Sequence, residues 1–281
     1  MNNRGWFRNS MLGLGLAFLY IPILSMVVFS FNNSRLVTVW DGENSPTLRW
    51  YVRLFENDQL LGAAWVSVQV AAMTATGAVI LGTLAGLVLA RFGPFRGKAF
   101  LSAMTTAPLV MPEVITGIAM LLLFVALEQA FGWPEGRGML TITIAHITFA
   151  MSYVTVVVQS RLAGFDDALE EAALDLGAKP ATVFFRITLP LILPALVSGW
   201  LLAFTLSWDD VVISQFVSGP GSSTLPMEIF SRVRRGVSPD INALAAIMVL
   251  IVATGVVLST LYMKREEKRK LYEEQMAHSG N

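Results

Sequence analysis

No cysteine occurs in these 281 residues, which excludes disulfides, thiolate nucleophiles and thiolate metal sites. Histidine is almost missing as well. Only His146 and His278 are present, too few to build a metal centre from. Charge is scarce: Asp, Glu, Lys and Arg make up 14% of the chain, against about a quarter in an ordinary soluble domain. The formal net charge is zero, so no basic field exists to attract nucleic acid. Neither a G-x-x-x-x-G-K-S/T phosphate loop nor an H-E-x-x-H zinc pattern appears. The chain therefore lacks the phosphate loop's means of holding ATP, and no span carries a pair of carboxylates at hydrolytic spacing. What remains is apolar. Hydrophobic residues are 54% of the whole and mean hydropathy is +0.61, the composition of an integral membrane protein.

A membrane span needs about 20 predominantly apolar residues, and every backbone amide in the bilayer must be paired within it, so each span is a helix. Six runs qualify: about 11–31, 64–90, 99–125, 139–160, 190–212 and 242–263. The first follows Arg4 and Arg8 as a signal peptide would. It is longer than a signal core and ends in Phe31-Asn32-Asn33 without a cleavage site, so it reads as a retained helix. Basic residues then orient the chain. Arg4 and Arg8, then Arg91, Arg96 and Lys98, then Arg161, Lys179 and Arg186, then Lys264 to Lys270 fall on alternate connections. Those form the inner set, which places both termini in the cytoplasm. Arg232, Arg234 and Arg235 break the rule by lying between the fifth and sixth spans. The tail from Lys264 pairs Glu266 with Lys270 at helical spacing and reads as a solvated helix. Residues 32–61, with Trp40, Trp50 and Tyr51, read as an outer interfacial segment.

In the second span Thr74, Ala78, Gly82, Gly86 and Ala90 recur every fourth residue. Such small-residue stripes allow helices to approach closely in lipid. They serve contact with another subunit and packing within one subunit equally well.

The connection from Arg161 to Leu189 is more than a loop. Glu170 through Gly177 reads as a short helix with Asp166 or Asp167 as its cap and Gly177 at a left-handed C-terminal turn. Pro180 suits the first turn of a second short helix through Ile187, before Pro190 and Pro194 open the fifth span. Ala172, Ala173, Leu176, Phe184 and Phe185 have no partner within so short a hairpin. They call for a groove on another protein, or for the membrane surface.

Glu171-Ala172-Ala173, Gly177 and Ile187-x-Leu189-Pro190 resemble the EAA signature of the membrane subunits of binding-protein-dependent ABC importers. The resemblance implies an all-α type I importer permease whose segment at about 164–188 couples to a cytoplasmic ATPase. Glu171, Ala172, Ala173, Gly177, Leu189 and Pro190 are the implied coupling residues. Thr106-Ala107-Pro108-Leu109-Val110-Met111-Pro112, Ala203 to Asp210, Ser218-Gly219-Pro220-Gly221 and Asn242-Ala243-Leu244-Ala245 are similar to the polyamine branch (putrescine and spermidine), over nearly the whole chain. Two positions depart from that branch: Trp208 stands where Leu is frequent, and Glu113 where Asp is frequent. The family also implies partners: a second homologous permease, an ATPase dimer carrying ATP and magnesium, a periplasmic binding protein, and a bacterial inner membrane. No cofactor is expected on this chain.

Three acidic residues lie within or at the ends of the runs. On a continuous third span Glu113 sits mid-membrane and shares a face with Thr106, Thr116, Gly117 and Met120. A carboxylate there costs about 2.5–3.5 kcal/mol and faces a cavity or a partner. It can line a path for a cation, or serve structurally by bonding to threonines. Asp209 and Asp210, beside Trp208, suit a cation through charge and cation–π attraction. They equally suit a helix break or pairing with Arg232 to Arg235. Tyr153 is a further path candidate, whereas His146 reads as a hydrogen-bonded packing residue. The organisation expected is an N-terminal helix with its outer segment over 1–60, a permease domain over 61–263 and a cytoplasmic tail over 264–281. The function expected is half of a polyamine path driven by a partner ATPase. A permease of the same class for another small solute is the alternative. An ion-coupled secondary transporter would predict inverted repeats, which the sequence does not show.

Overall fold

The computed structural model describes residues 3–34, 36, 39–164, 168–236 and 239–279. Asp166 and Asp167, the expected caps, lie outside these, as do the side chains of Glu266 and Lys270. Among the described residues the chain is helical with no strand. In order come α1 (Asn3–Phe29), α2 (Arg49–Phe55), α3 (Asp58–Arg91), α4 (Lys98–Val110), α5 (Glu113–Phe131) and α6 (Met139–Ala163). Then follow α7 (Ala168–Asp175), α8 (Pro180–Val183), a π turn (Phe184–Thr188), α9 (Leu189–Trp208), α10 (Val212–Val217), α11 (Leu225–Arg235) and α12 (Pro239–Ser279). Among the described residues α1, α3, α5, α6 and the run Pro180–Trp208 are long and apolar enough to cross a membrane, and α12 opens with a shorter apolar stretch, Pro239–Gly255. The chain divides into two units, residues 1–58 with 232–281, and residues 59–231.

In the first unit the segment after α1 folds onto α2. Trp50 is buried. Its indole N–H donates to the Asn32 carbonyl at 2.6 Å, and Arg49 and Arg53 lie over its ring. Asp41 organises the loop by accepting from the Glu43 and Asn44 amides. The Glu43 amide holds its carboxyl below the usual carboxylate range. Arg232, one of the three residues at odds with the charge rule, is paired: its guanidinium meets Asp240 at 3.0 Å.

The second unit is built around α6, the most enclosed of the long helices. One face of α6 (Ala150, Val154, Val158 and Leu162) packs with Ala75 and Ala78 of α3 and with Ile192, Leu196 and Ala203 of α9. Ile142, Ala145 and Phe149 pack with Val70, Phe124, Ile213 and Val217. The small-residue stripe of α3 now has its partner. A Cβ at Gly82 would stand 2.7 Å from Val154 Cβ, and one at Gly86 would stand 2.9 Å from Val158 Cγ1. The stripe is packing within the subunit, except that Ala90 is exposed.

Three expectations about helix continuity are corrected. The third run is not one helix, because it breaks at Met111-Pro112 between α4 and α5. Proline disfavours the helical conformation in the residue before it, and Met111 is extended, with φ −79° and ψ 136°. The fifth run ends at Trp208 rather than at 212, and Asp209 and Asp210 occupy a second break before α10. The second short helix after Gly177 does not end before the fifth span. It passes into α9 through the π turn, where the Leu189 N–H bonds the Phe184 carbonyl. Pro190 has no N–H for the Arg186 carbonyl and its ring crowds that carbonyl; the wider turn accommodates both.

Candidate translocation site and docking segment

The two breaks come together because α5 packs on α10. Gly117 makes the approach possible, since a Cβ there would meet the Phe216 ring at 2.5 Å and the Ile213 Cα at 3.4 Å. Thr141 locks the far end, accepting from the Gly138 amide and donating to the Val217 carbonyl at 2.6 Å. Glu113 is therefore the first residue of α5, exposed at a helix end instead of in the middle of a continuous helix. Its carboxylate lies within electrostatic reach of both Asp209 and Asp210. Thr106 belongs to α4 and is exposed, so it shares no continuous face with Glu113, while Thr116 and Gly117 are buried.

The neighbouring aspartates have opposite fates. Asp209 is exposed at the end of α9. Asp210 turns inward, with its side chain 7% exposed, and accepts from the backbone amides of Ile213 and Ser214 at 3.2 and 2.8 Å. It is also bonded to His146 Nε2 at 3.1 Å. His146 is the buried, hydrogen-bonded residue expected, and its other nitrogen meets Ser207 Oγ at 2.7 Å. Trp208 stacks on Phe204, and Phe204 on Trp200, at 6.0 and 5.3 Å between centroids. Tyr153 sits edge-on to Phe149 and belongs to the apolar cluster around α6 and α10. Among the described residues no group of acids and histidines is arranged to hold a metal.

On the opposite connection, α7 ends as its residues predict. Gly177 has φ +84°, its N–H reaches the Leu174 carbonyl, and the Ala178 N–H returns to the Ala173 carbonyl. Pro180 opens α8. Glu171 and Ala172 are exposed, Ala173 is half-buried, and Leu176 and Phe185 are 89% and 64% exposed. Leu189 packs on the core at the root of α9, and Pro190 beside it is exposed. Glu170, read in the sequence only as the start of the short helix, has a further role. It accepts from Thr188 Oγ1 at 2.7 Å and from Arg91 at 3.4 Å, tying α7 to the π turn and to the end of α3. No spacing rule reveals a contact made across 79 residues.

Residues 78–272 match the family described as binding-protein-dependent transport system inner membrane component. The chain belongs to this family. It is 54% identical, over the full length of both chains, to the putrescine transport system permease protein PotI of Escherichia coli K12. It is 44% identical to the spermidine/putrescine transport system permease protein PotC of Haemophilus influenzae, over 94% of this chain and 98% of the other. A chain of a bacterial ABC transporter for the acidic polysaccharide alginate has the same fold. Its TM-score is 0.69 at 14% identity, covering 92% of this chain and 95% of that one. The fold is that of type I ABC importer permeases. Membership makes the chain a multi-pass membrane component of a transport system and not an enzyme.

Proposed function

We propose that this permease forms half of the translocation path of an ATP-driven polyamine importer in a bacterial inner membrane. The observation that carries the reading is the 54% identity to a putrescine permease along both whole chains. The fold alone does not choose the solute, since a transporter of an acidic polysaccharide shares it. Six spans with both termini cytoplasmic fit the Lys and Arg distribution. A second, homologous permease completes the path, a periplasmic binding protein delivers the solute, and ATP and magnesium belong to an ATPase dimer. The exposed Leu176 and Phe185, with Glu171 to Ala173 and the Gly177 turn, make the face that docks this ATPase.

In the path, Glu113 and Asp209 supply negative charge at two helix breaks and Trp208 supplies an aromatic face. Together these suit an alkyl ammonium ion. No bond is made or broken here. The permease binds weakly, orients and releases while the ATPase drives alternating access.

The test is ATP hydrolysis by the complete complex in proteoliposomes, stimulated by loaded binding protein with putrescine, spermidine or an unrelated amino acid. Polyamines are expected to stimulate and the amino acid is not. Glu113→Gln is expected to raise the half-maximal polyamine concentration about tenfold, the equivalent of ~1.4 kcal/mol. Unchanged concentration dependence would remove Glu113 from the path, and stimulation by the amino acid alone would remove the solute assignment.

A further inference from the structure

We propose that His146 is a positioning residue that fixes Asp210 as the structural cap of the α9–α10 break, leaving Asp209 and Glu113 as the carboxylates presented to a passing cation. The lone pairs of Asp210 are already committed within the protein. One oxygen accepts from the Ile213 amide at 3.2 Å. The other takes the Ser214 amide at 2.8 Å and the His146 ring at 3.1 Å. With so little of the side chain exposed, these bonds leave no room for a solute ammonium. Such a carboxylate holds backbone in place; it does not recognise cargo.

His146 completes the arrangement from a third helix. Its ring is 2% exposed, so both nitrogens must find partners within the protein. Asp210 as a carboxylate can only accept, so the tautomer with its proton on Nε2 satisfies it and leaves Nδ1 to accept the Ser207 hydroxyl. Ser214 Oγ, 3.2 Å from Nε2, closes the same knot. α6, α9 and α10 are thereby joined by side chains at the point where the backbone of α9 stops. Asp209 precedes Asp210 directly in the break, so pinning Asp210 inward fixes the backbone from which the exposed Asp209 projects. Among the described residues, the carboxylates in electrostatic reach of this knot are Asp209 and Glu113. The sequence counted three acids for the path, and the packing withdraws one of them.

The absence of cysteine from the chain provides a direct test. Asp209→Cys, Asp210→Cys and Glu113→Cys are made singly in the full complex. Only preparations in which the ATPase co-purifies at wild-type yield are used. Each is exposed to a small cationic methanethiosulfonate, and labelling of this chain is followed by mass. Asp209→Cys and Glu113→Cys are expected to label at least about tenfold faster than Asp210→Cys, as an aqueous position does against one closed by packing. Adding His146→Leu to Asp209→Cys should change its labelling rate several-fold, and His146→Gln, which keeps an amide donor, should restore it.

In the unlabelled complex His146→Leu should raise the half-maximal putrescine concentration about tenfold, the loss of one hydrogen bond to a charged group. His146→Gln should recover most of it. Asp210→Cys labelling as fast as Asp209→Cys overturns the proposal, and so does an Asp209→Cys rate indifferent to His146→Leu. This proposal rests on the translocation reading only for its putrescine arm. If putrescine fails to stimulate the wild type while the labelling order holds, the solute assignment falls and the role of His146 stands.

Discussion

Gly82→Leu is expected to eliminate folded protein, and Gly82→Ala to destabilise it by about 1–3 kcal/mol, the usual penalty for overpacking. The reason is the rigidity of what faces Gly82. A Cβ would meet Val154 Cβ at 2.7 Å and the Met151 carbonyl at 2.9 Å. A carbonyl in the middle of a helix cannot withdraw as the end of a flexible side chain can. In lipid no hydrophobic force drives two helices together, so close backbone approach and van der Waals contact supply the attraction. Separating α3 from α6 removes that attraction along the whole stripe. Gly62→Ala on the same helix is the control, because nothing lies within 4 Å of its Cβ position. It should be neutral or slightly stabilising, since alanine is the better helix former. Thermal unfolding and monodisperse yield in detergent measure both. Equal behaviour of Gly82→Ala and Gly62→Ala would show that α3 and α6 do not meet as described.

Glu170→Ala is expected to leave the complex assembled but to lower solute transported per ATP on the order of tenfold, from the loss of a hydrogen bond to a charged acceptor worth about 1.5–3 kcal/mol. One carboxylate oxygen of Glu170 receives both Thr188 at the base of α9 and Arg91 at the end of α3. If α7 docks the ATPase, displacement of α7 reaches two long helices through this side chain. Without it, α7 can move while they do not. Glu170→Gln keeps an acceptor for Thr188 and loses the charge facing Arg91, so it should fall between. Simultaneous transport and hydrolysis in proteoliposomes give the ratio. A ratio equal to wild type in Glu170→Ala would sink the role, whereas loss of ATPase co-purification would make Glu170 a docking residue instead.

Local chemistry was legible and long-range pairing was not. The left-handed turn at Gly177 and the start of α8 at Pro180 depend on one or two residues, and both were readable from residue type alone. The break before Glu113 was also written in the chain, in Met111-Pro112. Apolar content on both sides concealed it, because hydropathy measures where a segment dissolves and not whether it is straight. The choice between Asp209 and Asp210 had no local signal. Both are aspartates at a helix end, and their roles are separated by the amides of Ile213 and Ser214, which depend on where α10 starts, and by His146, 64 residues away. The same holds for the stripe on α3, whose spacing announced close packing but carried nothing about the identity of the partner. The family resemblance pointed to Glu171, but it was silent on Glu170, whose partners come from folding.

The π turn at Phe184–Thr188 has a geometric consequence. A π turn takes in one residue more than an α turn, so the helix beyond it is out of phase with the helix before it by about 100°. The azimuth of the docking face is thereby uncoupled from that of the span. Phe185 faces solvent while Ile192, Leu196 and Ala203 face α6, a combination set by this offset. Deleting one residue within 184–188 would bring the two segments into register. The whole of α9 would then turn about its axis, carrying Ser207 away from His146 and the Trp200–Phe204–Trp208 stack to another azimuth, with no change in the composition of the span.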